Sequence, residues 1–207
     1  MLPVLPVLPA LLLLLGSSLE GETSSRPPPR EMPAWPSRQL ALTAAYVGEQ
    51  GVHPGGQAGV EYALVPLRWL SVVGRLNLGG YVHYRYATSL YADVELGLRA
   101  TTTGGFVVDL LGNAGYLHQF PNGVLYRVPE GGAPIVAPNP GFPAARLGGT
   151  LGLGADLSRT RLDWPVTITL RLGAFAQLFF GGGVELHPEA QLMLTWMLGR
   201  RQAPGHE

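Results

Sequence analysis

The chain has 207 residues, a length that suits one domain with a short extension. Its 14 basic and 14 acidic residues cancel, so no net charge draws it to nucleic acid or to an acidic partner. Charged residues make up only 14%, glycine reaches 29 residues and cysteine is absent, which excludes disulfides, thiolate catalysis and cysteine-bound metals.

The first residues predict an exported protein. Residues 1–18 contain the apolar run 11–15 followed by small residues, the pattern of a secretory signal peptide, although three prolines interrupt it and no basic residue precedes it. Residues 19–38 are rich in proline and predict an extended periplasmic leader. We expect one folded domain over residues 39–198 and a C-terminal tail over residues 199–207.

The domain consists of segments in which apolar and polar residues alternate, the period of a β-strand. Several reach ten or more residues, longer than the usual strand of a soluble protein and long enough to cross a bilayer. Eight such segments are predicted, over residues 39–47, 57–66, 75–86, 90–100, 105–119, 145–158, 166–179 and 184–198.

Both signs of charge recur on one face of these strands, while the other face carries none. A charge facing lipid would cost about 2–4 kcal/mol at the bilayer midplane, so the uncharged face is expected to meet lipid. The pattern predicts an all-β fold, an eight-stranded antiparallel up-and-down transmembrane β-barrel. Its narrow lumen would be plugged by ion pairs. The predicted lumen charge network consists of Glu61, Arg75, His83, Arg85, Asp93, Glu95, Arg99, Asp109, Arg146, Asp156, Arg171 and Glu189.

Aromatic residues sort by strand end, as in the interfacial girdles of membrane barrels. With a periplasmic N-terminus, one group falls at the periplasmic ends: Trp69, Phe106, Trp164 and Trp196. The other falls at the outer ends: Tyr46, Tyr84, Tyr86, Tyr116 and Phe180. A core between two soluble sheets gives no reason for this sorting.

Strand number, alternation, girdles and charged lumen resemble the small eight-stranded outer-membrane barrels, the group that includes the OmpA transmembrane domain and OmpX. The resemblance covers about residues 39–198 and is architectural. It implies the outer membrane of a Gram-negative bacterium, and as partners the lipid bilayer with lipopolysaccharide and the barrel-insertion machinery. It implies no cofactor and no nucleic acid. The chain departs from the family in the tail that follows Trp196, because the family usually ends at an aromatic residue.

The longest connection, residues 120–143, is dense in proline and glycine and predicts an irregular outer loop. Loops of this kind carry binding functions in small barrels, so a structural or surface-interaction role is expected. A tolerated insertion without a specific function is an equal alternative. The apolar stretches 124–126 and 135–136 within it are compatible with a strand extension or a contact patch.

Two other functions are weighed against this interpretation. A lipid A deacylase-like enzyme would need serine, histidine and a carboxylate together, but no His-x-Ser occurs and His118 has no serine close in sequence. We therefore expect no catalytic residues. A metal site at His83, Asp93 and Glu95 is disfavoured because neighbouring arginines compete for the carboxylates, so none is expected. A soluble lipocalin-like barrel, with the apolar face inward around a ligand, is the third alternative.

Overall fold

Eight long strands pair in chain order around a closed barrel in the computed structural model, which describes residues 40–66 and 69–198. The predicted signal peptide, leader and tail lie outside the described residues. The part of the chain described contains no helix long and apolar enough to cross a membrane.

The barrel strands are all antiparallel to their neighbours, and a small hairpin interrupts the connection between the fifth and sixth of them. The barrel consists of β1 (Leu40–Glu49), β2 (His53–Pro66), β3 (Leu70–His83), β4 (Ala87–Thr101), β5 (Phe106–Pro121), β8 (Phe142–Asp156), β9 (Val166–Phe179) and β10 (Val184–Leu198). The hairpin strands are β6 (Leu125–Arg127) and β7 (Ile135–Ala137), and a 3-10 turn, Leu157–Arg159, follows β8. The predicted fold class, an eight-stranded antiparallel transmembrane barrel, is confirmed.

Two ends of the barrel differ in their connections. We call loop end the one that carries the turns after β1, β3 and β9 and residues 122–141, and turn end the opposite one. Residues 122–141, including β6 and β7, are called the arm. The β1–β2 turn needs only three residues because Gln50 and Gly51 both adopt positive φ, 49° and 75°, which suits a tight hairpin.

The two faces of the wall are inverted relative to a soluble protein. Leucines in mid-strand point outward, with Leu78 65% and Leu172 59% exposed. Arginines point inward, and Arg146 and Arg171 are completely buried. An apolar exterior around a charged interior is the arrangement of a membrane barrel. The lipocalin-like alternative is wrong, because it requires the apolar face inside.

One predicted strand limit differs from the structure in a way that changes the position of a charged residue. Strands over 166–179 and 184–198 are found as predicted, but β3 ends at His83, and residues 84–86 form a turn to β4. Arg85 lies in this turn and is exposed, so its assignment to the lumen charge network is wrong. The alternation that continued through Tyr86 could not distinguish the end of a strand from a turn that happens to keep the same period.

Candidate functional site

The middle of the barrel is crossed by a set of ion pairs that we call the central network, formed by Glu61, Arg75, Glu95, Arg99, Asp109 and Arg171. Arg75 reaches three carboxylates: its Nε lies 2.5 Å from Glu61, Nη1 3.1 Å from Glu95 and Nη2 3.4 Å from Asp109. These partners come from β2, β4 and β5, so a single guanidinium of β3 links four strands.

The other two arginines complete the central network. Arg99 donates to Glu61 at 2.5 Å and to Asp109 at 2.8 Å. Arg171 of β9 donates to Glu95 of β4 at 3.0 Å, although these strands are not neighbours, so this pair spans the lumen. Three arginines meet three carboxylates, and every one of these side chains is almost fully buried. Buried charge is tolerated only with this degree of pairing.

A second layer lies nearer the loop end and is built around Arg146. Its Nη2 donates to Glu189 at 2.7 Å, and its Nε lies 3.6 Å from Asp93. The guanidinium carbon is 4.1 Å from the ring centres of both Tyr91 and Phe175, so the cation lies between two aromatic faces. Such cation–π contacts gain strength when they are shielded from water.

Side chains fill the interior. Tyr81, Tyr91 and Phe175 pack with Leu117 in a buried cluster beside Arg146. Near the turn end, a cavity beside Glu61 and Arg99 measures about 20 Å³, room for roughly one water molecule. Together with the two layers of ion pairs, this packing leaves a plugged lumen rather than an open channel.

At the loop end, the interior finishes in a different group, which we call the mouth cluster: Glu49, His53, His83 and His187. The Glu49 carboxylate accepts from Nδ1 of His187 and from Nδ1 of His53, both at 2.6 Å. The His53 and His83 rings stack with centroids 3.4 Å apart. Among the described residues, no three or more His, Asp or Glu side chains are arranged to hold a metal ion.

Sequence reasoning missed most of the mouth cluster. Glu49 was left out because the predicted first strand stopped at residue 47, yet it continues the inward row of β1. His53 lies in the extension of β2 ahead of the predicted segment, and His187 lies inward beside a proline that obscured its register. Extending the alternation by two residues into the β1–β2 connection was the signal that could have found Glu49.

The structure separates the predicted network residues into five places. Six of them form the central network, and Asp93, Arg146 and Glu189 form the layer above it. His83 belongs to the mouth cluster. Asp156 lies apart from both layers, because its carboxylate accepts from Ser158 Oγ at 2.6 Å and pairs with Arg159 at 3.2 Å, which caps the turn after β8. Arg85 is outside the lumen.

The predicted girdle residues are exposed at the two ends of the barrel wall. At the turn end these are Trp69, Phe106, Trp164 and Trp196, and at the loop end Tyr46, Tyr84, Tyr86, Tyr116 and Phe180. Between them lies the band of outward leucines, isoleucines and valines. Amphipathic rings at the borders of an apolar band suit the two interfaces of a bilayer.

The arm projects from the loop end and exposes apolar side chains along its hairpin: Val124, Tyr126, Val128, Ile135 and Val136. Its two bases are fastened to the barrel. Asn139 donates to the Pro121 carbonyl at 2.8 Å, and Nε2 of His118 bonds the Pro140 carbonyl at 2.9 Å. The other ring nitrogen of His118 lies 2.7 Å from the Tyr116 hydroxyl, so both nitrogens are occupied by a structural role.

Comparisons with known proteins give structural likeness only. No protein-family model matches the chain, and no curated protein matches it. The barrel is similar to the N-terminal β-barrel domain of Pseudomonas aeruginosa OprF (12% identity, 77% of this chain, 97% of that chain, TM-score 0.38). It is similar to Neisserial surface protein A (11%, 79%, 97%, TM-score 0.43) and to Ail, the attachment invasion locus protein of Yersinia pestis (12%, 78%, 97%, TM-score 0.42).

Proposed function

We propose that this protein is a sealed outer-membrane barrel of a Gram-negative bacterium that presents the arm at the cell surface as a contact element. The loop end faces outward and the turn end faces the periplasm. Its partners are the bilayer, with lipopolysaccharide in the outer leaflet, and the machinery that inserts barrels. The protein performs no catalysis in this proposal, and its lumen conducts no solutes.

One observation carries the contact role. The arm exposes several large apolar side chains that the barrel does not cover, and its short hairpin leaves strand edges unpaired. Exposed apolar clusters on a rigid support are typical of sites that bind other molecules. Hydrogen bonds at both bases of the arm fix it to the loop end of the barrel, which supports a role in contact with another surface.

The proposed orientation of the barrel in the membrane is tested by cysteine labelling. The chain has no cysteine of its own, so only an introduced cysteine can react. Ala133→Cys lies at the tip of the arm, and Thr103→Cys lies in a turn at the opposite end. On intact cells, a membrane-impermeant maleimide is expected to label the first variant only. After the outer membrane is permeabilised, both variants are labelled. Labelling of Thr103→Cys alone on intact cells would reverse the proposed orientation.

The contact role is tested by adherence of cells that display the protein to plasma-protein-coated and mammalian-cell surfaces. Val136→Ser removes an apolar side chain of the arm that is 69% exposed. The matched control is Val52→Ser, which removes one that is 73% exposed in the β1–β2 turn. We expect Val136→Ser to reduce adherence and Val52→Ser to leave it unchanged. Equal adherence of both variants and the parent would exclude the arm as the contact element.

A further inference from the structure

The mouth cluster joins four strands through groups that gain or lose protons near neutral pH. Glu49 belongs to β1, His53 to β2, His83 to β3 and His187 to β10. Histidine is the side chain whose ordinary protonation range lies between about pH 5 and 8. The central network, by contrast, holds only arginines and carboxylates. Any response of the interior to mild acid is therefore concentrated at the loop end.

The stacked pair of His53 and His83 accepts one proton more readily than two. The Glu49 carboxylate lies 2.6 Å from Nδ1 of His53, so a cation on the His53 ring would face this carboxylate. A second proton on His83 would then place two cations face to face at 3.4 Å. Like charges at this separation repel strongly at a partly buried site.

Other charged or titratable groups around His83 do not remove this repulsion. From β10, His187 pairs with Glu49 and lies 3.5 Å from Glu185, whose carboxylate is largely exposed. From the β3–β4 turn, the Tyr86 ring meets His83 edge-on at 4.7 Å. Glu49 is the nearest carboxylate to the stack and already serves two histidines. Among the described residues, no carboxylate forms an ion pair with His83.

His83 is tied to the arm through Asn122, the first residue after β5. The side-chain nitrogen of Asn122 donates to the His83 carbonyl at 3.1 Å, and its backbone N–H donates to the Tyr86 carbonyl at 2.7 Å. The backbone N–H of Tyr86 in turn bonds the His83 carbonyl at 2.9 Å. Movement of the His83 segment therefore loosens one base of the arm directly.

We propose that the mouth cluster is a pH-sensitive latch for the arm. At neutral pH, His83 is uncharged, the stack on His53 is closed, and the 84–86 turn holds Asn122 in place. At mildly acidic pH the second proton separates the two rings and frees the turn and the base of the arm. The direction of the pH effect follows from the stack. The closed state disfavours a proton on His83, so acid favours the open state.

The test measures backbone amide exchange by NMR in the full chain, folded in micelles, at about pH 7.5 and about pH 5. The reporters are the N–H groups of Tyr86 and Asn122, corrected for intrinsic exchange. The internal control is the N–H of Thr102, which bonds the Phe106 carbonyl at the turn end. We expect acid to reduce protection of the reporters by about tenfold or more and to leave Thr102 unchanged, since a protonation ratio changes tenfold per pH unit and the two conditions differ by more than one unit.

His83→Phe keeps an aromatic ring on His53 but cannot be protonated, so we expect the reporters to stay protected at both pH values. His53→Phe is the second variant, and it removes the facing cation instead. In it His83 is expected to take up its proton at a higher pH than in the parent, without opening the latch. A heat-dependent gel shift checks that each variant is folded.

Two results would overturn the latch: unchanged reporter protection in the parent protein at acid pH, or the same loss of protection in a folded histidine variant. Because the readout is amide exchange rather than adherence, it is independent of the contact role proposed for the arm.

Discussion

The central network and the mouth cluster are both groups of polar side chains inside the barrel that join strands, but they differ in the chemistry of their charges. The central network pairs three arginines with three carboxylates, and none of these groups ordinarily changes its charge between about pH 5 and 8. The mouth cluster has two imidazoles bonded to one carboxylate and a third imidazole stacked on one of them, and imidazole is the side chain whose ordinary protonation range lies between about pH 5 and 8.

The central network is therefore the part of the interior that holds the barrel together, and the mouth cluster is the part suited to respond to a change in pH. Charges in the middle of the barrel are almost fully buried, so the loss of a partner would leave an unpaired charge and permanent pairing is the tolerable arrangement there. At the loop end, solvent is near and a broken pair can be hydrated. A titrating group is therefore less costly at the mouth than in the middle.

The largest effect is expected from Arg75→Met, which leaves Glu61, Glu95 and Asp109 with fewer cationic partners. Breaking a buried ion pair by removing one member costs about 3–5 kcal/mol. The free energy of unfolding in urea, measured with the protein in micelles, is expected to fall by that amount. An unchanged free energy of unfolding in Arg75→Met would show that the central network does not stabilise the middle of the barrel.

The matched control is Arg85→Met, since sequence reasoning assigned both arginines to the lumen. Arg85 is exposed in the β3–β4 turn, so the change in unfolding free energy is expected to stay within about 0.5 kcal/mol. A loss close to that of Arg75→Met would contradict the placement of Arg85 outside the network.

A smaller loss is expected when charge is placed on the opposite face of the wall. Leu170→Arg puts a cation on an outward position in the middle of β9, where the cost in a bilayer is about 2–4 kcal/mol. Unfolding in lipid vesicles measures this loss. Val52→Arg, in a loop-end turn, is the control and should be nearly neutral. Equal effects of the two changes would mean that lipid does not surround β9.

The smallest effect tests how tightly the central network is packed. A side chain at Gly152 would point inward, with its Cβ 2.9 Å from Thr169 Cγ2 and 3.0 Å from Arg171 Cγ. Gly152→Val is expected to lower the unfolding free energy by about 1–3 kcal/mol, as overpacking does. At the outward Gly112 the nearest atom would be 3.8 Å away, so Gly112→Val should be tolerated. A similar cost at both positions would indicate a lumen with spare room.

Sequence reasoning could predict the wall of the barrel because each strand carries its own alternation. For residues such as Leu170 and Arg171, the alternation within the strand itself predicts which side chain points outward and which points inward. The same alternation predicts which charges face inward, but not their partners, because pairs such as Arg171 with Glu95 depend on strands that meet only across the closed lumen. Asp156 shows the limit: its row was correct, but its partner is a local turn.

The strand ends were harder to predict, since turns and strand termini share the same alternation. This is why Arg85 was misplaced and Glu49 overlooked. The stack of His53 on His83 joins the ends of two strands, and no spacing within either strand encodes it. The arm was predicted as an irregular loop, with its two apolar stretches left open between a strand extension and a contact patch. They form a hairpin whose apolar side chains are exposed.

The closure of the barrel joins the first strand to the last: Leu40 pairs with Leu198, and Glu49 with Glu189. Every other strand pairs with a near neighbour in sequence, whereas this seam must wait until the whole chain has been made and exported. Contacts between distant parts of a chain are paid for in loop entropy and form late. The seam is therefore where assembly of the barrel finishes.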